Sequence, residues 1–209
     1  MRRAFLLAAA LALAGGGYAQ AQTVRFGIGA LGMTYSESGE GLRWEGEGAA
    51  GTLWFRWRRL GLDATGYLGK LKPDSSDVSE MDMVQGDLRA SFSIVPAIAV
   101  ELGIGHRAFD PEFSAQDVGF WRLGVMSELP LARIASIWAR GAYLIAPQFS
   151  GGGESGLSVE VALGVGVGTA NGRFRARADY EFQRIDREVS GVELPIQLSL
   201  ARIGVELGF

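Results

Sequence analysis

From Leu157 to Gly168 the chain alternates without a break. Leu157, Val159, Val161, Leu163, Val165 and Val167 share one parity, and Ser158, Glu160, Ala162, Gly164, Gly166 and Gly168 share the other. Arg173 to Gln183 repeats the pattern. Phe174, Ala176, Ala178, Tyr180 and Phe182 stand against Arg173, Arg175, Arg177, Asp179, Glu181 and Gln183. A period of two belongs to a β-strand with two unlike faces; on a helix both residue classes would scatter around the circumference. The chain is therefore built for a sheet whose two sides meet different environments.

The same template predicts ten strands, at 23–35, 48–59, 60–71, 82–95, 97–108, 117–128, 132–146, 156–169, 172–185 and 194–209. Short turns are expected after every second strand, at Arg59-Leu60, Val95-Pro96-Ala97, Leu129-Pro130-Leu131 and Ala170-Asn171-Gly172. The remaining connections are longer and rich in Gly, Ser, Asp and Glu. An even number of strands with short turns at one end and longer loops at the other is the layout of a transmembrane up-and-down barrel. The segments 48–59 and 132–146 carry the weakest alternation, so an eight-stranded barrel is the other solution.

The N-terminus reads as an export signal. Arg2 and Arg3 precede an apolar run from Ala4 to Ala14, and Ala19-Gln20-Ala21 is a small-x-small cleavage site. Residues 1–21 are thus expected to be a signal peptide and 22–209 a single barrel domain. Without the two leader arginines, 18 basic side chains face 23 acidic ones, a balance that argues against nucleic acid as a partner. No cysteine is present, which excludes disulfides, thiolate metal sites and a lipoprotein anchor. The 31 glycines are about twice the usual share.

Alternation does not say which face points outward, and a soluble lipocalin-like barrel would hide the apolar one. Three features favour the inverted, membrane-facing arrangement. The polar face mixes charges with Gly, Ala and Ser, as a crowded interior needs. Arginine outnumbers lysine, of which only Lys70 and Lys72 occur, and the planar guanidinium suits dehydrated pairing with carboxylates. Aromatic residues collect at strand ends: Phe55, Trp57, Phe92, Phe174 and Phe209 near the short turns, Trp121, Tyr143, Tyr180 and Phe182 near the long loops. Bilayer interfaces select two such girdles.

Ala201-Arg202-Ile203-Gly204-Val205-Glu206-Leu207-Gly208-Phe209 alternates to the last residue and ends on Phe. It resembles the terminal strand of small bacterial outer-membrane barrels of the OmpA and OmpX kind. That resemblance implies an outer-membrane location and makes Phe209 an assembly signal read by the barrel-assembly machinery. Its further partners are the lipid bilayer and lipopolysaccharide, with an envelope protein at the outer loops as another. The parity slips between Leu200 and Ala201, because Ile196, Leu198 and Leu200 do not share the parity of Ile203, Val205 and Leu207. A β-bulge there is the expected remedy.

With the charged parity inward, the lumen is expected to hold Arg25, Arg56, Arg58, Arg89, Arg107, Arg122, Arg140, Arg175, Arg177 and Arg202 together with Asp63, Asp87, Glu101, Glu128, Glu160, Asp179, Glu181 and Glu206. These signs nearly balance, and an unpaired buried charge costs several kcal/mol. A narrow barrel should therefore pair them across strands into a closed, salt-bridged interior. An Arg-lined pore for ions or small solutes is the alternative.

No cofactor or metal site is expected. Gly27-Ile28-Gly29-Ala30-Leu31-Gly32 matches the dinucleotide fingerprint, but no helical pattern follows to receive a pyrophosphate. His106, the sole histidine, is the one residue on which an outer-membrane hydrolase or acyltransferase would depend, with Asp110, Glu112 or Asp117 beside it. Its parity points outward, so the expectation is a non-enzymatic barrel. The outer loops are acidic: Glu37, Glu40, Glu45 and Glu47, then Asp74, Asp77, Glu80 and Asp82, then Asp110, Glu112 and Asp117. A solvated loop surface is the expectation, since their spacing matches no EF-hand; weak divalent-cation binding or a basic partner is the alternative.

Overall fold

The computed structural model describes residues 23–38, 41–169 and 172–209. The expected leader and Glu40 lie outside them. The strands are β1 (Thr23–Glu37), β2 (Leu42–Trp57), β3 (Leu60–Pro73), β4 (Met81–Val95), β5 (Ile98–Phe109), β6 (Val118–Ala132), β7 (Ala135–Phe149), β8 (Glu154–Gly168), β9 (Phe174–Val189), β10 (Val192–Glu193) and β11 (Ile196–Gly208). Every pairing is antiparallel. β11 joins both β9 and β1, so ten strands close into a ring and the sheet keeps no free edge. The two-residue β10 pairs with the end of β9 outside that ring. Its loop, Ser190-Gly191, takes φ values of 54° and 81°, the left-handed pair that a two-residue hairpin requires.

Both weakly patterned segments are ring strands, which settles the count at ten. The turn expected at Leu129-Pro130-Leu131 lies further on, at Arg133-Ile134. β6 runs through Pro130 because a register shift between Pro130 and Ala132 spares the ladder a missing N–H.

The outer wall is apolar. Ile28, Leu53, Leu68, Leu102, Leu123, Leu163 and Ile203 are all exposed, Ile203 to 72%. Such a belt is stable against lipid and unstable against water. Ring strands of 12 to 16 residues exceed the about 9–11 needed to cross a bilayer, and the surplus stands at the long-loop end.

In that surplus the polarity inverts. On β11, Ile196, Leu198 and Leu200 point inward and are buried, and Arg202 and Glu206 follow on the same inward face. Register with β1 runs unbroken through Met33↔Leu200, Gly32↔Ala201 and Leu31↔Arg202. The bulge expected after Leu200 is therefore absent. The slip in the sequence marks the level at which lipid gives way to water outside the wall and charge gives way to hydrocarbon inside it. The start of β2 at Leu42 rather than 48 has the same origin. Arg43, Glu45 and Glu47 face outward there and Trp44 faces in, so Glu45 and Glu47 are strand residues and not loop residues.

The inverted segment encloses a conventional hydrophobic core. Trp44, Tyr35, Leu71, Met81, Leu144, Ile185 and Leu198 are each at most 1% exposed. Tyr35 meets Trp44 and Phe109 edge-on at 5.6 and 5.2 Å. Phe113, on the 3-10 turn Pro111–Gln116, packs over Trp44 at 6.2 Å. Full burial of each large side chain contributes roughly 1.5–3 kcal/mol, so this core anchors the outer end of the barrel.

Candidate functional site: the charged lumen and its mouth

Below the apolar core the interior is ionic, and inward parity brings the charges together from strands that share no edge. Arg89 on β4 is the hub. Its guanidinium donates to Asp63 at 3.3 Å and to Glu160 at 3.4 Å, with Asp87 at 3.6 Å and Glu181 at 3.8 Å. Arg122 on β6 reaches Asp87 at 2.8 Å and Glu160 at 3.1 Å. Arg107 donates to Gln85 at 2.9 Å and also to Gln183, and Gln183 in turn donates to Glu160 and Glu181 at 3.2 and 2.7 Å. All are buried. Charges in this setting are tolerable because Arg89 and Arg122 are paired with carboxylates and Arg107 is held by the amides of Gln85 and Gln183.

A second tier lies nearer the short turns. Arg140 forks onto Glu101 through Nε at 2.6 Å and Nη2 at 3.1 Å. Arg202 grips Asp179 in the same two-point manner at 3.1 and 3.0 Å. Arg177 links Asp179 at 3.0 Å to Glu206 at 3.1 Å. These fork-to-carboxylate bonds are the geometry arginine offers and lysine does not.

At the short-turn end the lumen widens into a vestibule of about 500 Å³ lined by Arg25, Arg56, Arg133, Arg175, Glu128 and Trp54 among others. Arg175 holds Glu128 at 3.0 Å and also donates to Ser136. Arg25 lies 3.9 Å from Glu206. The guanidiniums of Arg25 and Arg56 stand over the Trp54 ring at 5.4 and 4.6 Å. Seventeen of the eighteen charged residues expected inside take inward positions. Arg58 is the exception. It sits exposed in the β2–β3 turn with φ 54° and rests on Trp57. The chain reverses there before parity can carry Arg58 inward.

Sequence reading passed over several lumen partners. Gln85 shares the parity of Asp87 and Arg89, and Thr65 shares that of Asp63 and donates to it at 3.1 Å; this parity was the available signal. Tyr67 reaches Glu181 at 3.3 Å, and nothing in its local sequence set it apart from a lipid-facing aromatic except parity.

His106 faces outward beside Gly86 and Gly119. Among the described residues it makes no hydrogen bond or ion pair. The carboxylates that might have activated it are engaged elsewhere. Asp117 accepts from the Phe109 N–H at 2.8 Å, Asp110 from the Asp82 N–H at 3.3 Å and Glu112 from the Ser79 hydroxyl at 3.2 Å. Gly27 and Gly29 lie in unbroken β1, where no helix follows them. At the outer end Glu45 pairs with Arg43 at 2.5 Å and Glu80 with Lys70 at 2.9 Å. The Lys70 ammonium holds the Glu80 carboxyl below its ordinary value. Among the described residues, acids and histidine form no group of three placed to hold a metal ion.

No family model matches the chain, and no curated protein does. Solved structures do match it. The outer membrane protease OmpT from Escherichia coli superposes with a TM-score of 0.56 at 11% identity, over 90% of this chain and 96% of that one. Neisserial surface protein A gives 0.46 at 13% identity, over 89% and 97%. The outer membrane protein OprG from Pseudomonas aeruginosa gives 0.40 at 8%, over 90% and 95%. At such identities the likeness to OmpT speaks for the fold alone. With the closed ring, the lipid-facing belt and the charged interior, it makes this chain a small ten-stranded outer-membrane β-barrel.

Proposed function

We propose that this barrel does not conduct, and that it serves the outer membrane as a rigid structural element or through its outer loops. The observation that carries the reading is the bridging of opposite walls by Arg89, held between Asp63 and Asp87 on one side and Glu160 and Glu181 on the other. Immediately above it lies an apolar core that an ion has no reason to enter. Two unlike seals in series support a closed lumen. Residues 1–21 act as the export signal in this reading, Phe209 as the assembly signal, and the acidic outer rim as the surface offered to lipopolysaccharide-bound cations or a basic envelope protein.

Single-channel recording on the refolded protein in a planar bilayer tests it, with insertion checked separately by protease protection. Insertion without current is expected. Reproducible current steps from inserted protein would replace this reading with that of a narrow channel.

A further inference from the structure

The two ends of the barrel differ sharply in charge. The periplasmic turns carry Arg58, Arg59, Arg133 and Arg173 and no acidic side chain, whereas the outer loops are rich in Asp and Glu. Inside the basic end lies the vestibule, where four arginines face a single carboxylate, Glu128. Deeper in the lumen the two signs nearly balance; here they do not. Glu128 is taken by Arg175. Among the described residues Arg56 makes no ion pair, and its guanidinium stands over the Trp54 ring. Among the described residues Arg25 has one ion-pair partner, Glu206 at 3.9 Å, and its buried Nε has no acceptor.

We infer that the vestibule is a binding site for a small multivalent anion, of the phosphate or polycarboxylate class, taken up from the periplasmic side. Four observations converge on it. The volume of about 500 Å³ falls within the range of small-ligand sites. Guanidinium forks match phosphate and carboxylate oxygens in pairs. Stacking on Trp54 holds Arg25 and Arg56 in place while leaving N–H groups to donate. The arginines of the surrounding turns focus anions toward the opening. A narrower chamber of about 40 Å³ continues from it toward Arg140 and Arg177. The site stands whether or not the lumen above it conducts.

Calorimetric titration of pyrophosphate into the folded protein tests this, in nanodiscs of zwitterionic lipid and, in parallel, in nanodiscs containing phosphatidylglycerol. Saturable binding that weakens with added salt is expected. Arg56→Gln and Arg133→Gln should each weaken it about tenfold or more, the loss expected for one charge-assisted hydrogen-bonding partner. Lys70→Gln, at the outer end, should leave it unchanged. Arg133 lies on an exposed turn, so its substitution tests the site even where Arg56→Gln impairs folding; retained heat-modifiable migration on gels identifies folded variants. Persistence in phosphatidylglycerol would identify the ligand as soluble, and suppression would show that the phosphodiester of a bilayer headgroup competes for the same arginines; either outcome upholds the site. Absence of binding in zwitterionic nanodiscs, or equal affinity in Arg56→Gln/Arg133→Gln, overturns it.

Discussion

Arg89 and Glu160 meet at 3.4 Å across the lumen although their strands, β4 and β8, share no edge. This bond and the neighbouring Arg122–Glu160 contact at 3.1 Å tie together walls that the β-ladder connects only the long way round. Arg89→Ala leaves Asp63, Asp87, Glu160 and Glu181 facing one another with their shared cation gone. The loss should be about 3–5 kcal/mol, the usual result of breaking a buried pair from one side. Urea unfolding in lipid vesicles measures it. A loss below about 1 kcal/mol, the scale of an exposed pair, would mean that water or the remaining arginines already screen these carboxylates.

The apolar core at the outer end makes a separate prediction. Trp44 is 1% exposed and is the centrepiece of an aromatic group with Tyr35 and Phe113. Trp44→Ala should cost about 3–5 kcal/mol, because the cavity it leaves is walled by β-strands that cannot collapse inward. It should not open a current by itself, since the ionic tier below is untouched. Unfolding and conductance measured on the same preparation check both halves.

Much of this architecture was legible because the membrane imposes one rule on every strand that crosses it. Leu163, Val165 and Val167 face lipid while Glu160, Gly164 and Gly166 face inward, and the same template located all ten ring strands. The rule stops where the bilayer stops, and there the reading went astray. Leu198 and Arg202 share one face of β11, yet the template for a membrane strand sets them on opposite sides. That template predicts a bulge where the ladder is regular and a loop over residues 42–47 of β2. The inward parity of the charges was likewise readable. Their partners were not: Arg89 and Glu160 are 71 residues apart, and only barrel closure and register bring them together.

The level of inversion is itself testable by scanning arginine down the outer face of β11. Ile203 is 72% exposed within the apolar belt, and Gln197 faces outward above it. Ile203→Arg should destabilise by about 2–4 kcal/mol, as a cation near the midplane does, and Gln197→Arg by about 0–1 kcal/mol. Equal losses in vesicle unfolding would show that the outer segment is also embedded in lipid, which its apolar interior and polar exterior argue against.

Ala146 supplies the last prediction, because it carries backbone strain that a single substitution can remove. Register between β6 and β7 passes from Gly119↔Gln148 to Trp121↔Ile145, so that Ala146 and Pro147 together oppose Phe120 alone. The bulge places Ala146 at φ 48°, in the left-handed region where a Cβ costs about 1–2 kcal/mol. Glycine removes that penalty but enlarges the unfolded ensemble by about 0.4–1 kcal/mol. Ala146→Gly should therefore stabilise the barrel by about 0.5–1 kcal/mol, the difference between these two opposing terms. Ala139, an outward residue in the regular part of the same strand, has no such strain to relieve. Ala139→Gly should accordingly destabilise by about 0.5–1 kcal/mol. Opposite signs for the two substitutions, measured by urea unfolding, would locate strain at the bulge. A loss at both would mean that the bulge relaxes without needing a left-handed residue.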